Sequence, residues 1–296
     1  MKTKLKVAAV STGKRADIGP YKIDRVLPNR YSTAIGPFVF MDHALPITHS
    51  KENTFENFEG TGPHPHRGIA TLTYVLNGQS NHFDSRGNHA LVNSGGVQWM
   101  KSGNGIIHDE SLHIDPNTDD RITHSFQFWL NLPSKNKAEE PEYMALKAPD
   151  IAKKVLDNNS GWLKIIAGSY EDQTAAIPAY TNQFLYHLHL EAEKVFSLDT
   201  ESDTEYAVFL LHDAVINGTV YHAGDLVRFE QEKGEVEIKN LSGEPIDILL
   251  FGGEPYTEPI VAHGPFVMNT EHEISIAYND YYNGKYGEIN YDQAAF

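Results

Sequence analysis

The chain has 296 residues, with 24 basic and 40 acidic side chains, fifteen histidines and no cysteine. A chain of this length can bury a sizeable core in one large or two modest domains, and its 40% apolar and 11% aromatic content is too rich for disorder. Without cysteine, disulfide scaffolds, thiolate zinc sites, iron–sulfur clusters and cysteine nucleophiles are excluded, and the net charge of −16 argues against direct binding to nucleic acid or an anionic membrane.

The N-terminus, MKTKLKVAAVSTGKRADIG, is basic but has only Val7 to Val10 as an apolar stretch. That is too short for a signal peptide. No window approaches the ~20 apolar residues of a membrane span. A cytoplasmic protein is expected.

Short β-like runs follow in chain order. Ile69–Leu76 is rich in β-branched and aromatic residues and precedes Asn77-Gly78, a strong hairpin signal. Ala90–Val92, Val97–Met100, Ser125–Leu132 and Gly161–Ala167 continue the series. Gln183–Leu190, Glu205–Leu211, Asp225–Phe229, Val236–Lys239 and Ile246–Phe251 repeat it after the midpoint, with turn signals such as Asn217-Gly218 between them. Many short, turn-separated strands predict an all-β sandwich or barrel rather than a βαβ array. One helix is predicted in the tail over Thr270–Asn283, with a Thr270/Glu273 capping box and Gly284 as its stop.

The Pro-, Lys- and Glu-rich segment Pro133–Pro149 reads as a linker. Two β-domains are therefore expected, residues 1–136 and 137–296. Their charges differ. The first has 14 basic and 12 acidic side chains with nine histidines, and the second has 10 basic and 28 acidic with six. The acidity is expected to belong to the second domain and not to the site.

Chemistry concentrates in the first domain. In Gly62-Pro63-His64-Pro65-His66-Arg67-Gly68, Pro65 keeps the chain extended, so His64 and His66 share one face. His108 and Glu110 repeat the i, i+2 spacing in a second Gly-flanked segment. On neighbouring strands the two pairs could converge on one ion, and three imidazoles with a carboxylate suit Fe(II), Mn, Ni, Cu, Co or Zn. His43, His49, His82, His89 and His113 read as exposed loop histidines. Arg67 reads as an internal ion-pair partner, and Trp99, Phe126, Phe128 and Trp129 as core. His187 and His189 read as a surface strand.

HPHRG followed by TYVLNG, then VQWMKSGNGIIHDE and FQFWLNLP, resembles the pirin family of the cupin superfamily. The resemblance continues at Gly252-Gly253-Glu254-Pro255 and in the block His263 to Thr270. It implies a bicupin fold of two β-barrels with a C-terminal helical tail, and a metal in the N-terminal barrel alone. The ion it implies is one divalent metal, most often Fe(II), on His64, His66, His108 and Glu110. In many pirins a Glu follows the HPHRG-aromatic run; Ala70 stands there in this chain. Asp42, Gln98, His124 and Gln127 fall in matching blocks and are candidates to hydrogen-bond the ligands. The activity implied is a quercetin 2,3-dioxygenase type of reaction, with O2 and a flavonol or similar small phenolic substrate, and Glu110 as both ligand and base. The alternative is a redox-sensing module that binds a transcription factor or metabolic enzyme without turnover. A monomer is expected.

Overall fold

The computed structural model describes residues 2–19, 21–50, 60–292 and 295. Among the described residues strands dominate, and the one α-helix is Glu271–Tyr282. No helix among the described residues is long and apolar enough to cross a membrane.

The chain folds into two compact units, and they are not its two halves. One unit, hereafter the site unit, comprises Arg15–Arg25, Phe40–Asp150 and Thr257–Phe296. The other, the companion unit, comprises Met1–Lys14, Val26–Val39 and Ile151–Tyr256. The expected boundary at residue 136 misses this exchange of terminal segments, because pairing between distant strands leaves no local mark. The charge assignment changes with it. The site unit holds 12 basic and 22 acidic side chains, the companion unit 12 and 18. The acidity is therefore not confined to one unit.

Each unit is built on a seven-stranded and a four-stranded sheet. In the site unit the large sheet runs Glu142–Leu146, Val97–Lys101, Ile69–Asn77, Ile122–Asn131, Phe38–Thr48, Ile23–Leu27 and Lys14–Arg15. The small sheet runs His64–His66, Ile106–His113, Gln79–Asp84 and His89–Asn93. In the companion unit the large sheet is centred on Glu205–Leu210, Ile246–Gly253 and Gln183–Leu190, and the small one contains Val195–Thr200, Gly234–Lys239, Ala214–Ile216 and Thr219–Tyr221. Its core is mostly aliphatic, with Leu163, Leu188, Val227, Ile238 and Ile248 fully buried, and includes Phe184, Tyr186, Phe196 and Phe229.

The two Asn-Gly signals do different things. Asn217-Gly218 closes a two-residue hairpin, with Ile216 opposite Thr219 and both turn residues at positive φ. Asn77-Gly78 does not close a hairpin. Ile69–Asn77 lies in the large sheet and Gln79–Asp84 in the small one, so Gly78 is a corner between sheets. At φ +105° it brings its Cα so close to the His113 carbonyl that a Cβ would sit 2.6 Å from that oxygen.

The expected linker is structured. Glu142–Leu146 pairs with Val97–Lys101 as an edge strand of the large sheet. Lys137 is 3% exposed, and its ammonium donates to the carbonyls of Gly68 and Val267 and to Asn131 Oδ1 at 2.9, 2.7 and 2.6 Å. The tail helix forms as its caps predict. The Glu273 N–H donates to Thr270 Oγ1, and Ile274 and Ala277 pack with Phe266, Met268 and Tyr286.

Candidate metal centre

The small sheet of the site unit supplies the histidines. Along Ile106–His113 burial alternates, so Ile106, His108, Glu110 and Leu112 face inward. The register sets His108 opposite His64 on one neighbouring strand and Glu110 opposite His82 on the other. Gly68 ends the His-Pro-His segment at φ +82°, where a Cβ would lie 2.0 Å from the Val267 carbonyl oxygen. Only glycine lets the two backbones approach this closely.

Three imidazoles gather, with the rings of His64 and His66 at 4.3 and 4.9 Å from that of His108. The nitrogens of His64, His66 and His108 lie within 4.8 Å of one another. His64 Nδ1 pairs with the Gly62 carbonyl at 2.8 Å and His66 Nδ1 with the Pro265 carbonyl at 3.1 Å. Each carbonyl must accept, so Nδ1 carries the proton and Nε2 presents its lone pair. His66 Nε2 and both nitrogens of His108 are buried without a hydrogen-bond partner. Burial, reinforced by the neighbouring His64, holds the His66 pKa at about 3, and burial with His64, His66 and His82 pushes His108 well below the ordinary value. Convergent imidazoles with buried nitrogens left unpartnered, as in His66 and His108, fit a divalent metal, because the ion supplies the missing partners.

Glu110 lies at the side of this group. Its Oε1 is 3.8 Å from His108 Nδ1 and 3.7 Å from His82 Nδ1, and it forms a second donor group with those two residues. The four expected ligands are thus split, with His108 common to both groups. The Gln98 side-chain amide donates to Glu110 Oε1, and that of Gln127 to Oε2 at 2.7 Å. Thr73 donates to Oε1 at 3.4 Å. Tyr143, from the expected linker, donates to Gln98 Oε1 at 3.0 Å and stacks on His82 at 4.3 Å. A cavity of about 90 Å3 opens beside Glu110, bordered by Tyr21, Ile23, Thr61, Leu112 and Gln127.

Other expected residues have different partners. Asp42 forms a two-pronged pair with Arg25, at 2.9 Å for each bond, and borders the cavity. His124 pairs with His43, Nε2 to Nε2 at 2.7 Å. Ala70 is buried opposite Leu130. Arg67 reaches Asp280 at 2.7 Å, an internal ion pair as expected. Trp99, Phe126 and Phe128 are core, but Trp129 is only partly buried and meets the His66 ring edge-on at 4.9 Å.

Several histidine expectations are corrected. His82 is not in an exposed loop; it is fully buried, with Nε2 on Asp84 Oδ2 at 3.2 Å and Nδ1 unpartnered. Burial opposes its protonation most, but the Asp84 and Glu110 carboxylates outweigh that and raise its pKa. A signal was available: two-residue periodicity carried past Gly78 turns Ser80, His82 and Asp84 inward. His43 is buried on the strand Phe38–Thr48, and His49, His89 and His113 are half-buried with ring-nitrogen or stacking partners. In the companion unit His187 is buried, not on the surface.

Comparison with known proteins agrees with this architecture. The Pirin family model matches residues 21–130, and the model of the pirin C-terminal cupin domain matches residues 185–287. Pirin-1 of Arabidopsis thaliana is 33% identical over 251 residues, covering 80% of this chain and 81% of the relative. The crystal structure of quercetin 2,3-dioxygenase from Acinetobacter baumannii superposes with a TM-score of 0.88 at 29% identity, covering 97% of this chain and all of that one. A bacterial pirin from Escherichia coli, solved with nickel(II), shares the fold at a TM-score of 0.61 and 20% identity, over 86% of this chain and all of its own.

Proposed function

The chain belongs to the pirin family and has its bicupin fold, and on that premise we propose that it is a metal-dependent dioxygenase acting on a small phenolic compound of the flavonol type. The observation that carries the reading is the convergence of the imidazoles of His64, His66 and His108, with His66 Nε2 and both His108 nitrogens buried without a partner, beside a carboxylate held by two amides. The quercetin dioxygenase activity named for the Acinetobacter relative supports the substrate class. Fe(II) is the proposed metal, on His64, His66 and His108, with Glu110 as the fourth ligand and base. Bound there, the ion would act as a Lewis acid that polarises and orients a phenolic oxygen and O2.

The chain's own residues supply the rest. Gln98 and Gln127 fix the plane of the Glu110 carboxylate and leave it further acceptor positions. Glu110 thus takes the proton of a phenolic hydroxyl that enters from the adjoining cavity. That cavity, about 90 Å3, is far below the ~300–1,000 Å3 of a typical ligand site, so it receives one hydroxylated ring and leaves the rest of the molecule outside. Tyr21 and Leu112 border it and exclude water from the ring edge.

The test is elemental analysis of protein purified without added metal, followed by incubation of the Fe-loaded protein with quercetin with and without air. Oxygen-dependent loss of the flavonol absorbance is expected. No oxygen consumption with Fe, Mn, Ni, Co or Cu sinks the enzyme reading. Metal binding without turnover, with capture of a protein that depends on Fe(II) versus Fe(III), is the outcome of the regulatory alternative.

A further inference from the structure

Glu110 is asked to hold an ion and to take a proton, and its two oxygens have different neighbours. Oε1 lies 3.8 Å from His108 Nδ1 and 3.7 Å from His82 Nδ1, and it accepts from Gln98 and Thr73. Oε2 accepts from Gln127, whose side chain borders the cavity together with Glu110. The imidazole side of the carboxylate is therefore Oε1, and the oxygen beside the cavity-lining amide is Oε2. If Glu110 is ligand and base, Oε2 is the atom that takes the phenolic proton, and Gln127 is the group that orients it. An amide alone is a weak anchor. It carries an acceptor and a donor of nearly the same size, so it can turn over and present its carbonyl to the carboxylate.

Trp129 removes that freedom. Gln127 and Trp129 are two residues apart on the strand Ile122–Asn131, so they share one of its faces, both partly buried, while Phe126 and Phe128 fill the other. The indole Nε1–H donates to Gln127 Oε1 at 3.3 Å. An indole N–H only donates, so it favours a facing carbonyl and repels a facing amide N–H. With Gln127 Oε1 held there, the amide N–H faces Glu110 and donates to Oε2 at 2.7 Å. The indole is itself fixed in place. It stacks on Phe40, with centroids 4.1 Å and planes 13° apart, and meets His66 edge-on at 4.9 Å. The Phe40 ring in turn carries the Arg25 guanidinium at 4.5 Å, which bonds Asp42. Gln98 has a comparable partner in Tyr143, but a phenol hydroxyl both donates and accepts, so the indole is the stricter of the two.

We infer that Trp129 is a positioning residue: its indole N–H fixes the sense of the Gln127 amide, and through it aims Glu110 Oε2 at the substrate hydroxyl. The kinetic part rests on the dioxygenase reading, whereas the hydrogen bond is tested without turnover. Trp129→Phe removes the donor. Benzothienylalanine at position 129 replaces the N–H by sulfur and keeps the bicyclic ring in its stack, which separates the bond from the packing. In full-length protein loaded with diamagnetic Zn(II), the side-chain amide signals of Gln127 are identified by their loss in Gln127→Ala. Both changes at position 129 should shift those signals and speed their exchange with water several-fold. In the Fe-loaded protein both should lower kcat about tenfold, with KM and bound metal within about twofold of the parent. Gln127→Ala should lower kcat at least as far, and adding Trp129→Phe to it should change kcat by less than about twofold. Unchanged Gln127 signals in the benzothienyl variant, a loss carried by KM, or additive losses in the double variant each overturn the inference. A parent without turnover on any metal overturns the dioxygenase reading and the catalytic consequence with it, while the amide signals still decide whether Trp129 fixes Gln127.

Discussion

Both units carry a His-x-His on a strand, and the two pairs end in opposite chemistry. In the site unit the imidazoles of His64 and His66 each spend Nδ1 on a backbone carbonyl. A carbonyl only accepts, so it fixes the tautomer and leaves Nε2 as a free donor to a metal. In the companion unit His187 Nε2 and His189 Nδ1 both bond Asp247 Oδ1, at 2.9 and 2.8 Å. The carboxylate ties the pair together, and Trp162 covers it, stacked on His189 at 5.0 Å and edge-on to His187 at 4.9 Å. The spacing is the same, and the partner of each ring nitrogen decides whether the pair can take an ion.

The largest expected effect breaks that contrast directly. His108 belongs to both donor groups, so His108→Ala should lower bound metal at least about tenfold and abolish turnover with it. His187→Ala in the companion unit should leave metal content unchanged and cost about 1–3 kcal/mol of stability, because Asp247 loses a buried partner. Mass spectrometry of metals with parallel denaturation curves reads both. If His187→Ala strips the metal, the contrast is wrong.

Glu110→Gln separates holding the ion from handling the proton. Turnover should fall about 10²–10⁴-fold, the usual contribution of a positioned base, while the three imidazoles keep most of the metal. Oxygen consumption normalised to bound iron is the measurement. Full activity in that variant removes the base from the proposal.

The local part of this contrast was legible in the sequence. Two-residue alternation placed His64 with His66 and His108 with Glu110, and strands such as Gly161–Ala167 and Gln183–Leu190 match their patterns to the residue. What was not legible depends on pairing over distance. Strand Val7–Thr12 pairs with Asp225–Phe229, and the carbonyl that orients His66 comes from Pro265. A polar, Pro-bounded composition disguised Pro133–Pro149 as a linker, although it delivers Tyr143 to the site and buries Lys137. His82 was obscured because Asn77-Gly78 reads as a hairpin turn and is instead a corner between sheets.

Lys137 tests how far that disguised segment supports the site. Its three donors satisfy Gly68, Val267 and Asn131. Lys137→Met removes all three donors, leaving the Gly68 carbonyl only the Leu132 N–H at 3.2 Å, and should cost about 2–4 kcal/mol in denaturant unfolding. Burial pushes the folded pKa down to about 7, against opposing pull from Glu273 and Glu258. An unfolded lysine titrates near about 10.4. Between these values the unfolded chain holds more protons, so this lysine makes stability rise with pH from about 7 to about 10. Lys137→Met should flatten that rise; an unchanged pH profile rejects the assignment.

The smallest expected effect is the most specific. Tyr143 donates to Gln98, whose amide in turn donates to Glu110, so the hydroxyl reaches the carboxylate through Gln98. Tyr143→Phe keeps the ring stacked on His82 and removes the bond to Gln98. Loss of an outer partner of this kind costs about tenfold in affinity or rate at the low end. The loss should appear in kcat at constant metal content, because Gln98 turns more freely and the carboxylate plane with it. Gln98→Ala should lose more, and adding Tyr143→Phe to it should then change little, since the path from Tyr143 to Glu110 is already cut. Additive losses in the double variant would mean that Tyr143 acts through its contact with His82, placing the second donor group of His82, His108 and Glu110 in the reaction alongside the first.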